Sequence, residues 1–131
     1  MPDLIWEIDD EDGVFLTFDD GPTPGVTEWI LSTLDKYDAK ATFFVLGKNV
    51  EMYPDLYKRI LDAGHKVGNH TYSHQKGWGM SLERYTEDVD FANDLIHSEL
   101  FRPPYARITP AQARFLGQRY KLVMLDIISR D

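Results

Sequence analysis

Two groups of side chains carry the donor types that acid–base and metal chemistry need. Asp19 and Asp20 are adjacent carboxylates in the stretch Thr17-Phe18-Asp19-Asp20-Gly21-Pro22. His70 and His74 are imidazoles four residues apart in His70-Thr71-Tyr72-Ser73-His74. Within a regular strand, neighbouring side chains point to opposite faces, so adjacent carboxylates would not serve one site. Gly21-Pro22 ends the strand and frees both groups to converge beyond it. Two imidazoles at this spacing, in a tight loop or helical turn, lie on one side and can share a cation. Imidazole with carboxylate suits zinc, and also cobalt, nickel or iron. Each group alone also fits a plain structural role, a strand-to-turn junction or a surface turn. A third stretch, Arg102-Pro103-Pro104-Tyr105, shifts that balance. All three follow apolar runs that read as strands, so one sheet can bring them together at its carboxyl end, where α/β folds keep their chemistry.

The elements that must position them alternate regularly. Strands are expected over Val14–Phe18, Ala41–Leu46, Lys66–Asn69, Leu100–Arg102 and Leu122–Ile127. Between them, helical spacing of apolar residues predicts helices over Val26–Tyr37, Pro54–Ala63, Leu82–Ser98 and from Pro110 to Tyr120. Ser81 is the expected N-cap of the third helix, and Thr109-Pro110-Ala111-Gln112 is a capping box opening the fourth. Five strands alternating with four helices imply an α/β fold with a parallel sheet and right-handed crossovers.

Together the three motifs resemble the NodB-type polysaccharide deacetylases, carbohydrate esterase family 4. Thr17 to Pro22 is similar to the first motif of that family, His70 to His74 to the second, and Arg102 to Tyr105 to the third. Leu125 to Asp131 looks like the start of the fourth. The resemblance implies an irregular, incomplete (β/α) barrel, here of about five parallel strands, as one NodB-like domain over residues 1–131 lacking the C-terminal part of the barrel. A full eight-unit barrel takes about 250 residues. A five-stranded piece is expected to leave Leu122–Ile127 as an open edge, inviting homo-oligomer formation or swapped pairing.

The resemblance also implies roles. Asp20, His70 and His74 would bind a divalent metal, foremost Zn2+ with Co2+ or Ni2+ as alternatives. Asp19 would be the general base, Arg102 the cation paired with it, and the Tyr105 backbone N–H an oxyanion donor. Asp131 would match the Asp that tunes the family's general-acid His, a residue expected beyond this chain's last position. The remaining histidines, His65 and His97, precede the third motif and cannot replace it; His65 is expected to pack beneath the sheet end. The family usually has Gly after the motif's Tyr, whereas this chain has Ala106, at a position that can require positive φ. The implied reaction is metal-dependent hydrolysis of N-acetyl groups from N-acetylglucosamine-containing polysaccharide, chitin oligomers or peptidoglycan. The alternatives are an O-acetyl xylan esterase, a cyclic amide hydrolase, or an inactive metal-bearing glycan-binding module lacking the general-acid His. Gly77-Trp78-Gly79 offers either an exposed indole for sugar stacking or a loop anchor.

Composition narrows the partners. Net charge is −8 over 131 residues without any block of Lys or Arg, which argues against nucleic acid or an anionic membrane and leaves an acetylated glycan compatible if it is neutral or weakly cationic. Asp9-Asp10-Glu11-Asp12-Gly13 reads as a solvated turn, because it lacks the alternate ligands and distant Glu of a calcium loop. With no cysteine, neither disulfides nor thiolate metal ligands are available. No signal peptide is expected at Met1-Pro2-Asp3, and no segment approaches the roughly 18 apolar residues of a membrane span. Localisation stays open, since processing of an exported protein would leave the same sequence.

Overall fold

A computed structural model describes residues 4–5 and 16–124. The expected acidic turn at 9–13, the first two residues of the Val14–Phe18 strand, and the tail from Leu125 to Asp131 lie outside the described residues.

The architecture is α/β, a curled half-barrel of parallel strands with helices packed on it. Strands β1 (Leu4–Ile5), β2 (Thr17–Asp19), β3 (Thr42–Val45), β4 (Lys66–Asn69), β5 (Leu100–Phe101) and β6 (Lys121–Val123) run in the order β1-β6-β5-β4-β3-β2. All five neighbouring pairs are parallel. Helices α1 (Val26–Lys36), α2 (Gly47–Met52), α3 (Pro54–Asp62), α4 (Leu82–Ile96) and α5 (Pro110–Leu116) make the crossovers. None of the helices among the described residues is long and apolar enough to cross a membrane.

β3 is the strand that most plainly explains itself. Thr42-Phe43-Phe44-Val45 is buried along its whole length, as a parallel strand covered on both faces must be. Phe43 and Val45 point to one face, into a core with Leu31, Leu34, Ile60 and Ile96. Phe44 points to the other and packs over Gly68 of β4, where a Cβ would lie 2.5 Å from the ring. Gly68 therefore makes room for Phe44, whose ring in turn supports a site residue described below. A second core joins Tyr85 and Val89 of α4 to Phe101, Leu116 and Leu122. Each fully buried side chain of this kind contributes about 1.5–3 kcal/mol.

Three expectations need correction. The final strand is not an open edge: Leu122 and Val123 pair with Leu4 and Ile5 of β1. A two-residue strand gives no period to read, so its partner went unseen. Next, α2 fills the stretch between β3 and α3, in six residues too few to show a helical stripe. Last, α5 ends at Leu116 rather than Tyr120, with Gly117 capping it; likewise α4 stops at Ile96, where His97 turns into the left-handed region.

Candidate metal centre

The sheet delivers the site residues at nearly matched height. β4 and β5 end level with each other and β2 one residue earlier, and the ladder extends one residue past each. The backbone N–H of Asp20 donates to Phe44 O (3.0 Å), that of His70 to Val45 O (3.0 Å) and that of Arg102 to Asn69 O (2.9 Å). Asp20, His70 and Arg102 are thus pinned by the sheet while their neighbours are free to turn.

Asp20 turns at once, at φ 79°, after a strand that presents Asp19. That left-handed step lets the two adjacent carboxylates serve neighbouring tasks. Asp20 Oδ1 lies 3.3 Å from His70 Nε2 and 3.1 Å from His74 Nε2. One ligand atom from each of Asp20, His70 and His74 falls within 4.8 Å of the others. Ligand atoms 2.0–2.1 Å from a tetrahedral ion sit about 3.3 Å apart, so the two carboxylate–imidazole separations fit one small divalent ion.

The protonation pattern fits as well. His70 Nδ1 lies 2.6 Å from the carbonyl oxygen of Arg102. A carbonyl only accepts, so Nδ1 carries the proton, and in the neutral ring Nε2 then presents a bare lone pair. That lone pair faces a carboxylate oxygen, an arrangement that asks for a cation between them.

Asp19 belongs to a separate contact. Arg102, buried to 6% exposure, donates from Nη1 to Asp19 Oδ1 (2.8 Å) and Thr17 Oγ1 (3.0 Å), and from Nε to Val123 O (3.2 Å). Its guanidinium lies 4.3 Å from the centre of the Phe44 ring. Nη2 is buried with no partner among the described residues. Asp19, His70, Arg102, Pro103, Tyr105 and Ala106 line a cleft of about 290 Å3.

Backbone strain gathers here. Of the seven non-glycine residues with positive φ among the described residues, five are Asp20, Thr71, His74, Tyr105 and Ala106. Such residues persist where surrounding structure enforces them, typically at ligand sites. Ala106 stands at φ 55°, so the position does require the left-handed conformation that glycine adopts freely. The Tyr105 N–H donates to no group among the described residues. The Tyr105 ring is half exposed and lies 4.8 Å from the His74 ring.

Sequence reasoning missed the residues that shape the loop. Asn69 is fully buried; its Oδ1 accepts from Thr71 N–H (2.8 Å) and its Nδ2 donates to Val89 O (2.9 Å), fixing the turn between the imidazoles to α4. Ser73 Oγ bonds both carboxylate oxygens of Asp88 at 3.0 Å, and Asn49 Nδ2 donates to Asp20 O at 2.8 Å. A polar residue at a strand end is the only signal the sequence offers for Asn69. His65 lies away from the site, buried at the start of β4, where its Nδ1 accepts from Ala41 N–H at 3.1 Å. Asp131 lies outside the described residues.

Comparison with known proteins gives concordant results. A family model described as polysaccharide deacetylase matches residues 7–121. A peptidoglycan-N-acetylglucosamine deacetylase of Bacillus cereus is 37% identical over 131 aligned residues, covering 90% of this chain and 46% of that protein. A crystallised peptidoglycan N-acetylglucosamine deacetylase superimposes with TM-score 0.86 at 33% identity, over 92% of this chain and 59% of that one. A Bacillus anthracis pseudoenzyme of carbohydrate esterase family 4 superimposes with TM-score 0.85 at 26% identity, over 95% of this chain and 47% of that one. The chain thus spans about half the length of the curated relative.

Proposed function

The chain belongs to the polysaccharide deacetylase family, and we propose that it removes N-acetyl groups from an N-acetylglucosamine-containing polysaccharide, chitin oligomers or peptidoglycan. Asp20, His70 and His74 would hold the divalent ion, zinc in the first place. The observation that carries this reading is the placing of His70: its Nδ1 is committed to Arg102 O, which turns Nε2 toward Asp20, in a cluster that His74 completes.

A bound divalent ion supplies a water of lowered pKa and polarises a carbonyl oxygen. The chain's own groups do the rest. Asp19 is the base that takes the proton from the attacking water, and Arg102 fixes its carboxylate through the 2.8 Å contact at Oδ1. Because Arg102 is buried and bonded at Nε and Nη1, Asp19 has little freedom to rotate away. The Tyr105 N–H, without a partner among the described residues and in a turn stiffened by Pro103-Pro104, is the donor for the developing oxyanion. Loss of one such donor costs about 2.7–4 kcal/mol of barrier. No described residue is assigned to protonate the departing amine.

The likeness to a pseudoenzyme supports one second reading: a metal-bearing module that binds glycan without turnover. Acetate release from N-acetylated chito-oligosaccharides by the zinc-loaded chain separates the two. Release that Asp19→Asn abolishes supports the deacetylase; binding without release supports the module. Acetate freed from acetylated xylan alone moves the assignment to an O-acetyl esterase.

A further inference from the structure

We infer that the surface running from His74 to Trp78 is a glycan subsite that selects a carboxylate-bearing acetylated oligosaccharide over a neutral one, an inference that rests on the deacetylase reading above. The surface is continuous with the metal centre. The His74 ring lies 4.8 Å from the Tyr105 ring, Lys76 Nζ lies 5.9 Å from the Tyr105 centroid, and the Arg107 guanidinium lies 5.0 Å from the Trp78 ring.

Trp78 is displayed, not used as an anchor. It keeps 62% of its surface exposed. The anchoring falls to the residue before it. Gly77 is buried, its carbonyl accepts from the buried Gln112 Nε2 at 2.9 Å, and a Cβ there would lie 2.9 Å from Gln112 Oε1 and from the Tyr85 ring. The turn is therefore clamped against α4 and α5 while its indole faces outward, braced by Arg107. A rigid exposed aromatic is a preorganised platform for the apolar face of a pyranose ring. Tyr105, 54% exposed, is a second platform nearer the ion site.

Charge decides which sugar. The chain carries −8 overall, so an anionic glycan is repelled from most of its surface. Lys76 and Arg107 oppose that locally. Each sits over an aromatic ring, and neither forms an ion pair with a carboxylate among the described residues. Both are exposed and keep donors for an incoming carboxylate, Arg107 in the planar geometry that suits one. A neutral glycan needs neither cation.

The test is calorimetric binding of two tetrasaccharides to the zinc-loaded chain at low salt. One is the neutral N-acetylglucosamine tetramer; in the other, alternate sugars carry a lactyl ether with a free carboxylate. The acidic ligand is expected to bind about five- to tenfold tighter, with the preference falling at high salt. Lys76→Gln with Arg107→Gln should bring the two ligands within about twofold, and Trp78→Ala should weaken both about fivefold, with zinc uptake unchanged. Equal affinities in the wild-type chain, binding of neither ligand, or a preference that survives the double substitution overturns the inference. Acetate release from the same ligands tests the reaction separately: no release with the binding preference intact refutes the deacetylase and retains the subsite.

Discussion

The carbonyl oxygen of Arg102 lies 2.6 Å from Nδ1 of His70, while its guanidinium reaches Asp19 at 2.8 Å. One residue thus orients a candidate metal ligand through its backbone and holds the candidate base through its side chain. The two tasks should separate on mutation. Arg102→Lys keeps the carbonyl and a positive charge but loses the planar fork that spans Thr17, Asp19 and Val123. Zinc affinity should change by less than about threefold, because the orienting carbonyl remains. Acetate release should drop about tenfold or more, through the misplaced Asp19. A loss of zinc binding in this variant would show that the guanidinium, not the carbonyl, supports His70.

Ala106 gives a stability prediction of unusual sign for a loop substitution. A non-glycine residue in the left-handed region costs about 1–2 kcal/mol, and glycine's added unfolded-state freedom takes back about 0.5–1 kcal/mol. Ala106→Gly should therefore raise unfolding free energy by about 0.5–1 kcal/mol, read from urea midpoints at unchanged slope. Ala106→Val should lower it. A neutral or destabilising glycine would mean that φ at this position is not under strain.

Asn69→Ala should be costly. It strands the Thr71 N–H in a fully buried setting, at about 1–3 kcal/mol, and takes from the Val89 carbonyl the tie that joins this loop to α4. The expected loss is about 2–4 kcal/mol. Zinc affinity should fall with it, since the same side chain shapes the turn from His70 to His74. A stable variant with unaltered zinc binding would deny Asn69 any part in shaping that turn.

His65 makes part of the pH dependence. Burial first, and then the charge of Lys40, push its pKa below the ordinary 6.5. The unfolded chain accepts a proton near pH 6.5 that the folded chain resists, so this contribution is whole above pH 6.5 and is lost as pH falls below it. His65→Asn keeps an acceptor for the Ala41 N–H without that titration. Wild type and variant should differ in melting temperature more at about pH 7.5 than at about pH 5.5. A difference that is constant, or widens in acid, contradicts the assignment.

Much of this was legible because the candidate site residues sit where strands end. Asp19, Asp20, His70 and Arg102 all follow apolar runs, and a parallel sheet brings such ends together whatever the loops do. What stayed hidden depends on contacts between distant segments. Asn69 looks like any strand-end polar residue until α4 supplies Val89 O as its partner. Leu4 and Ile5 become a strand only because Leu122 and Val123 lie beside them. Gly68 reads as a weak strand residue; its reason is the Phe44 ring, and beyond that the guanidinium resting on it. Ala106 was legible as a departure, and its positive φ gives that departure a cost.

Calorimetric titration of the metal-free chain with zinc, repeated for Asp20→Ala, His70→Ala and His74→Ala, is the sharpest test of the ion site. One ion per chain is expected in the wild type, with a loss of affinity of about 100-fold or more in each variant. Zinc uptake that the three substitutions leave untouched would contradict it.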